Sequence, residues 1–148
     1  EESDYCYPVD SVGRSFSFSN HQNKVFMIEM SATWWQPCFS SIPEGEEIVE
    51  FWKDDDRVEI IHFLDYLPPY GPYSCVQWGD EGDSGIPPIL DDGTVNTVRN
   101  WFPLDPETGA EYPIIIFINH NFKIIHIAHG SINLNDTNLY INCMLDAM

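Results

Sequence analysis

A chain of 148 residues, 43% hydrophobic and 14% aromatic, holds ample apolar material for one packed core, so a single domain spanning residues 1–148 is expected. Six basic residues against 24 acidic ones leave a formal charge of −18, which repels phosphate backbones and anionic lipid and sets nucleic acid and membranes aside as partners. The longest apolar run, Ile114 to Ile118, is far short of the roughly 20 residues that cross a bilayer.

Residues 1–14, with Tyr5, Cys6, Tyr7 and Pro8, read as an extended arm that needs an anchor, which Cys6 can supply. Ser15 to Ser19 alternates polar and aromatic side chains, as a short outer strand does. Val25 to Ser31 is apolar enough for a buried strand. From Ser40 to Trp52 the period turns helical: Ile42, Ile48, Val49 and Trp52 share one broad face, and Glu44, Glu46, Glu47 and Glu50 lie elsewhere. Pro43 should kink or restart that helix. Val58 to Leu64 is a second apolar strand, and the strand, helix, strand order predicts a right-handed parallel crossover.

The stretch from Asp65 to Glu111 differs in kind. It holds seven of the 11 prolines and most of the glycines, and reads as a long connection, residues 65–112, enclosing short helices near Ser74 to Asp80 and Thr94 to Phe102. Pro113 to Ile118 and Phe122 to Ala128 are strands joined by Asn119-His120-Asn121, a good turn for an antiparallel hairpin. Asp136 can cap a final helix running to about Asp146, with Leu139, Cys143 and Met144 facing inward.

Cys6, Cys38, Cys75 and Cys143 sit far apart, unlike the close pairs of a metal knuckle, and permit three pairings. A tie from Cys6 to Cys143 is the most economical staple, though free thiols fit the spacing equally. Widely spaced cysteines in an acidic chain that starts at Glu1 suit an oxidising compartment, so an exported, periplasmic or secreted location is expected. His126 and His129 stand three apart in a strand and face opposite ways, and His21, His62 and His120 are isolated, so no metal site is expected. Asp91-Asp92-Gly93 is too short for an EF-hand loop.

At the first strand-to-helix junction stands Ala32-Thr33-Trp34-Trp35-Gln36-Pro37-Cys38. It resembles the strand and W-C-x-P-C helix start of the thioredoxin-like superfamily, with Trp34 at the family tryptophan, Pro37 at the middle proline and Cys38 at the second cysteine. Pro43 follows Cys38 by five residues, as the family's kink proline does, and Glu29 falls where thioredoxins keep a buried acid. Tyr112-Pro113 opens a strand and resembles the family's cis-proline. The resemblance covers roughly Lys24 to the C-terminus.

It implies an α/β, three-layer fold: a central mixed sheet with flanking helices, here carrying a long Pro/Gly-rich insertion. It further implies a monomer without a cofactor that exchanges disulfides with protein or peptide thiols. The departure is Trp35, which stands where the family's attacking cysteine belongs. In that setting Cys38 is the candidate redox thiol, Cys75 its partner from the long connection and Glu29 a proton relay. Trp34, Trp35, Gln36, Pro37, Tyr112 and Pro113 would form the substrate groove. Each has a plainer counterpart: Cys38 as a small apolar residue, Glu29 paired with a lysine or ending its strand in water, the tryptophans as rim filler. Two functions follow, a thiol-disulfide redox protein with a degenerate WQPC site, or a redox-inactive binding module for peptides or proteins.

Overall fold

A computed structural model describes residues 2–8, 11–65, 67–68, 71–82, 88–93, 99–102 and 112–148. The centre is β3 (Val25–Ala32), whose eight residues are all buried. A strand covered on both faces has no need to alternate polar and apolar side chains, and this one does not. The chain then forms α1 (Gln36–Trp52) and returns as β4 (Val58–Asp65), parallel to β3 from Val25 opposite Val58 to Ala32 opposite Asp65. This is the expected crossover, with the helix starting earlier than its apolar period, at the turn that carries Pro37. Proline is well suited to a first helical turn, where its missing N–H has no partner to lose.

On the other side of β3 lies β6 (Ile114–Ile118), antiparallel to it, followed by the hairpin partner β7 (Ile124–His129). Beyond β4 the sheet continues through a parallel strand, β5 (Ile89–Gly93), then β1 (Glu2–Tyr7) and β2 (Ser15–Ser17), both antiparallel to their neighbours. The seven-stranded mixed sheet thus has the order β2-β1-β5-β4-β3-β6-β7. The expected arm is therefore a strand of the sheet, and the long connection contributes β5 and a short helix, α2 (Cys75–Gly79). Ser74 and Gln77 close a reciprocal capping box at its start. Of the helix expected over Thr94 to Phe102, one 3-10 turn, Arg99–Trp101, is seen; 94–98 lie outside the described residues.

Alternation along β3 divides the core. Phe26, Ile28 and Met30 join a cluster that takes in Trp78 of α2, with Cys38 and Ile42 from the start of α1. Val25 and Met27 join another, with Ile48 and Trp52 of α1 and Ile141 and Met144 of α3 (Leu134–Asp146). The Trp52 indole N–H donates to Asn138 Oδ1 at 2.8 Å, tying the two helices. No helix among the described residues is long and apolar enough to cross a membrane.

Three expectations are corrected here. In α3 the buried stripe is Thr137, Ile141 and Met144. Leu139 and Cys143 are both exposed, because each stands two residues from Ile141, about 200° around the helix axis. The helix cap is Asn133, whose side chain accepts from the Asp136 N–H, and Asp136 itself sits in the first turn. Neither proposed cysteine pairing forms: Cys6 is bonded to Cys75, with Cα atoms 5.9 Å apart, and Cys38 and Cys143 are free. Pairing with β5 carries β1 to α2, whereas α3 packs near β3, across the sheet. The approach of β1 to α2 is close enough that a side chain at Gly79 would run into the Tyr7 ring.

Candidate functional site

The motif occupies the turn from β3 into α1. Trp35 is extended (φ −101°, ψ 111°) and precedes the first helical residue; its N–H donates to Ala32 O at 3.2 Å, and the Cys38 N–H donates to Trp35 O at 3.0 Å. This tight turn pushes four consecutive residues, Trp34, Trp35, Gln36 and Pro37, out to solvent and returns Cys38 to the interior. Trp34 is 51% and Trp35 40% exposed, with their rings edge to face at 5.3 Å. Behind them, Phe39 packs on Tyr73 and on Trp78 of α2.

The register of β3 with β6 brings the distant proline to the same end of the sheet. Met30 faces Ile114, so Pro113 and Tyr112 continue alongside Ser31 and Ala32, towards the motif loop. The Tyr112–Pro113 peptide bond is cis. Tyr112 is buried in the cluster that also holds Ala32 and Cys38, and its hydroxyl donates to Asp65 Oδ2 at 2.6 Å. Pro113 O accepts from the N–H of Gly130, whose φ of +88° suits glycine at the end of β7.

Beneath the loop lies a polar group that the sequence only partly announces. Glu29 is 7% exposed, and its Oε1 accepts from Ser41 Oγ at 3.3 Å and Ser31 Oγ at 3.4 Å. Burial raises its carboxyl to about 7; the two hydroxyls act against that rise and the charge of Glu44 adds to it. His62, level with Glu29 on β4, places Nδ1 3.9 Å from Oε2. That distance is within reach of an ion pair, yet burial lowers His62 to about 3, so the imidazole is neutral at ordinary pH. Its Nε2 has no hydrogen-bond partner among the described residues. A cavity of about 10 Å³, lined in part by Glu29, Ser41, Glu44 and Gly45, offers Glu29 room for about one water.

Cys38 has no exposed surface. Burial pushes its thiol up to about 11, hydrogen bonds with the Ala32 backbone and Ser31 partly oppose this, and the nearby Glu29 charge reinforces it. The structure thus places Cys38, Glu29, the Trp34–Pro37 loop and Tyr112–Pro113 at one end of the sheet, and gives Cys75 to Cys6. The plainer expectations for Glu29 are also corrected: it is buried, and Lys24 pairs with Glu59 at 2.7 Å. Ser31, Ser41, His62 and Asp65 are the partners that sequence reasoning missed. Ser41, one helical turn after Cys38, could have been found from spacing; His62 and Asp65 require the β3–β4 register.

No protein-family model matches the sequence, and no curated protein sequence does. Solved structures resemble the fold closely. A secreted thiol-disulfide isomerase from Corynebacterium glutamicum superposes with a TM-score of 0.75 at 14% identity, over 99% of this chain and 83% of that one. A putative protein disulfide isomerase from Bacteroides thetaiotaomicron gives 0.73 at 19%, over 99% and 86%. The exposed lipoprotein thioredoxin Etrx1 of Streptococcus pneumoniae gives 0.65 at 20%, over 100% and 98%. With the mixed sheet, its crossover and its hairpin in place, this chain has the thioredoxin-like fold.

Proposed function

We propose that the chain is a redox-inactive thioredoxin-fold module that binds protein or peptide segments between the Trp34–Pro37 loop and Tyr112–Pro113. The observation that carries this reading is the state of Cys38, with no exposed surface and a thiol pushed up to about 11. Such a thiol keeps its proton at neutral pH, and the thiolate is the nucleophile. Cys75, the other candidate, is already bonded to Cys6.

Removing attack leaves binding. Trp35 fills the attacking position with an apolar ring, and a partner that covers both exposed tryptophans gains from burying large, stiff aromatic surfaces. Gln36 adds an amide that donates and accepts, and Tyr112, held by Asp65, stiffens the opposite side of the groove. The module acts as a monomer after export, on partners of the kind that carry thiols or disulfides; the secreted and exposed descriptions of similar structures support the location.

One observation favours a second reading. Glu29 lies close enough to Cys38 for its charge to act on the thiol, and its carboxyl, at about 7, trades protons near neutral pH. In a degenerate thiol-disulfide protein, Glu29 would take the Cys38 proton and the thiolate would attack a peptide disulfide, forming a mixed disulfide and releasing one peptide thiolate. Native thiol trapping with N-ethylmaleimide at pH 8, beside an insulin reduction assay, separates the two. The binding module labels at exposed Cys143 alone and reduces insulin no faster than dithiothreitol does. Labelling of native Cys38 together with turnover would favour the second reading.

A further inference from the structure

All six lysines and arginines of the chain stand away from the Trp34–Pro37 loop. Lys24 precedes Val25, whose N–H donates to Arg57 O at 2.8 Å, so both stand where β3 and β4 begin, about 23 Å along the strands from Ala32. Lys53 follows α1 beside Trp52, which packs with Val25. Lys123 lies in the β6–β7 turn, at the end where Ile118 faces Phe26. Arg99 opens the turn whose Trp101 packs on Phe18, itself against Phe26. Arg14 adjoins β2, the outermost strand, four places from β3 in the sheet.

Three of these cations already have partners: Lys24 pairs with Glu59 at 2.7 Å, Lys53 with Glu50 at 2.6 Å and Arg57 with Asp55 at 2.7 Å. The residues outside the described set include Asp105, Glu107 and Glu111 and no lysine, arginine or histidine, so none of them supplies a cation. Behind the loop the acting charges are negative. Glu44 raises the Glu29 carboxyl and Glu29 raises the Cys38 thiol, with no cation opposing either. His129, level with Ile114 at this end of β7, is neutral in the charge count at pH 7.

Resting on the binding-module reading above, we infer that the segment taken up beside Trp34 and Trp35 is cationic, a stretch of protein or peptide that sets arginine or lysine against these rings. An indole attracts a cation over its face, tryptophan more strongly than the other aromatics. Both rings are exposed, and no cation of the chain stands at this end to compete for them. Arginine suits the site better than lysine, because a planar, weakly hydrated guanidinium stacks on a ring. The net charge of −18 draws a basic segment in and turns an acidic one away.

Acetylated, amidated peptides Gly-Ser-X-Val-Phe-X-Val-Ser-Gly, with X arginine, glutamine or glutamate, test this on the full chain. Binding is followed by the Trp34 and Trp35 indole N–H resonances in ¹H–¹⁵N spectra at about pH 7.5, above the ordinary range of histidine. The arginine peptide should shift both resonances saturably and bind about 10-fold more tightly than the glutamine peptide, the scale of two cation–aromatic contacts, with glutamate weakest. Raising sodium chloride from about 0.05 to about 0.5 M should shrink that ratio about 3-fold as the field is screened. Trp35→Leu, which keeps an apolar side chain and removes the ring, should also lower the ratio about 3-fold. No saturable shift with any of the three peptides would overturn the binding-module reading and this inference together. Equal affinities, tighter binding of the glutamate peptide, or arginine binding that leaves both indole resonances unmoved would overturn this inference alone.

Discussion

Glu29 and His62 titrate in opposite senses, and the signs fix a pH profile. Glu29 has a folded pKa of about 7 against 4.5, so the folded state holds the extra proton and its contribution to stability, complete below 4.5, is lost as pH rises to about 7. His62 has a folded pKa of about 3 against 6.5, so its contribution is present above 6.5 and lost as pH falls towards 3. Between about 4.5 and 6.5 the two slopes oppose each other, and the summed contribution of this pair is nearly level. Glu29→Gln removes one of them. Urea unfolding should show the variant gaining on the unmodified chain between about pH 4.5 and about pH 7.5, by roughly 2–3 kcal/mol. A difference between the two that does not change with pH would refute the assignment. The same residue scale explains what the sequence hid: Glu29 stands out as an acid in an apolar strand, but its neutral partner His62 is visible only once β3 and β4 are set in register.

Among the elements, β1 depends on one covalent and one steric device. The Cys6–Cys75 bond closes a loop with a sequence separation of 69 and fastens β1 to α2. Replacing both cysteines with serine should cost about 2–4 kcal/mol in urea unfolding, and adding dithiothreitol should no longer change the midpoint. Gly79→Ala places a methyl group against the Tyr7 ring and should cost about 1–3 kcal/mol, measured in the same way. β3, α1, β4 and the β6–β7 hairpin could be read from the sequence because each has a long apolar run or a clear period. β5 could not, having two apolar residues, Ile89 and Leu90, inside a proline-rich stretch. β1 read as an arm because what makes it a strand is its neighbours β2 and β5, contacts made by folding. The cysteine pairing went astray for the same reason, since it follows the strand order.

For the molecule as a whole, charge and groove make separate claims. At −18 the folded surface repels itself, and salt screens that repulsion, so raising sodium chloride from about 0.05 to about 0.5 M should raise the melting temperature. Differential scanning fluorimetry reads this directly, and an unchanged or lower value would show that pairs such as Lys24–Glu59 outweigh the excess of acids. The groove claim is that the thioredoxin-like scaffold keeps its binding surface and lacks one reacting atom. Trp35→Cys restores that atom at a helix start, where a thiolate is favoured, three residues before Cys38. The decisive measurement is insulin reduction by the purified Trp35→Cys chain with dithiothreitol as reductant. Turnover clearly above the dithiothreitol background, absent from the unmodified chain, is the expected result. A folded variant whose introduced thiol forms no disulfide with Cys38, and which shows no turnover, would contradict the account.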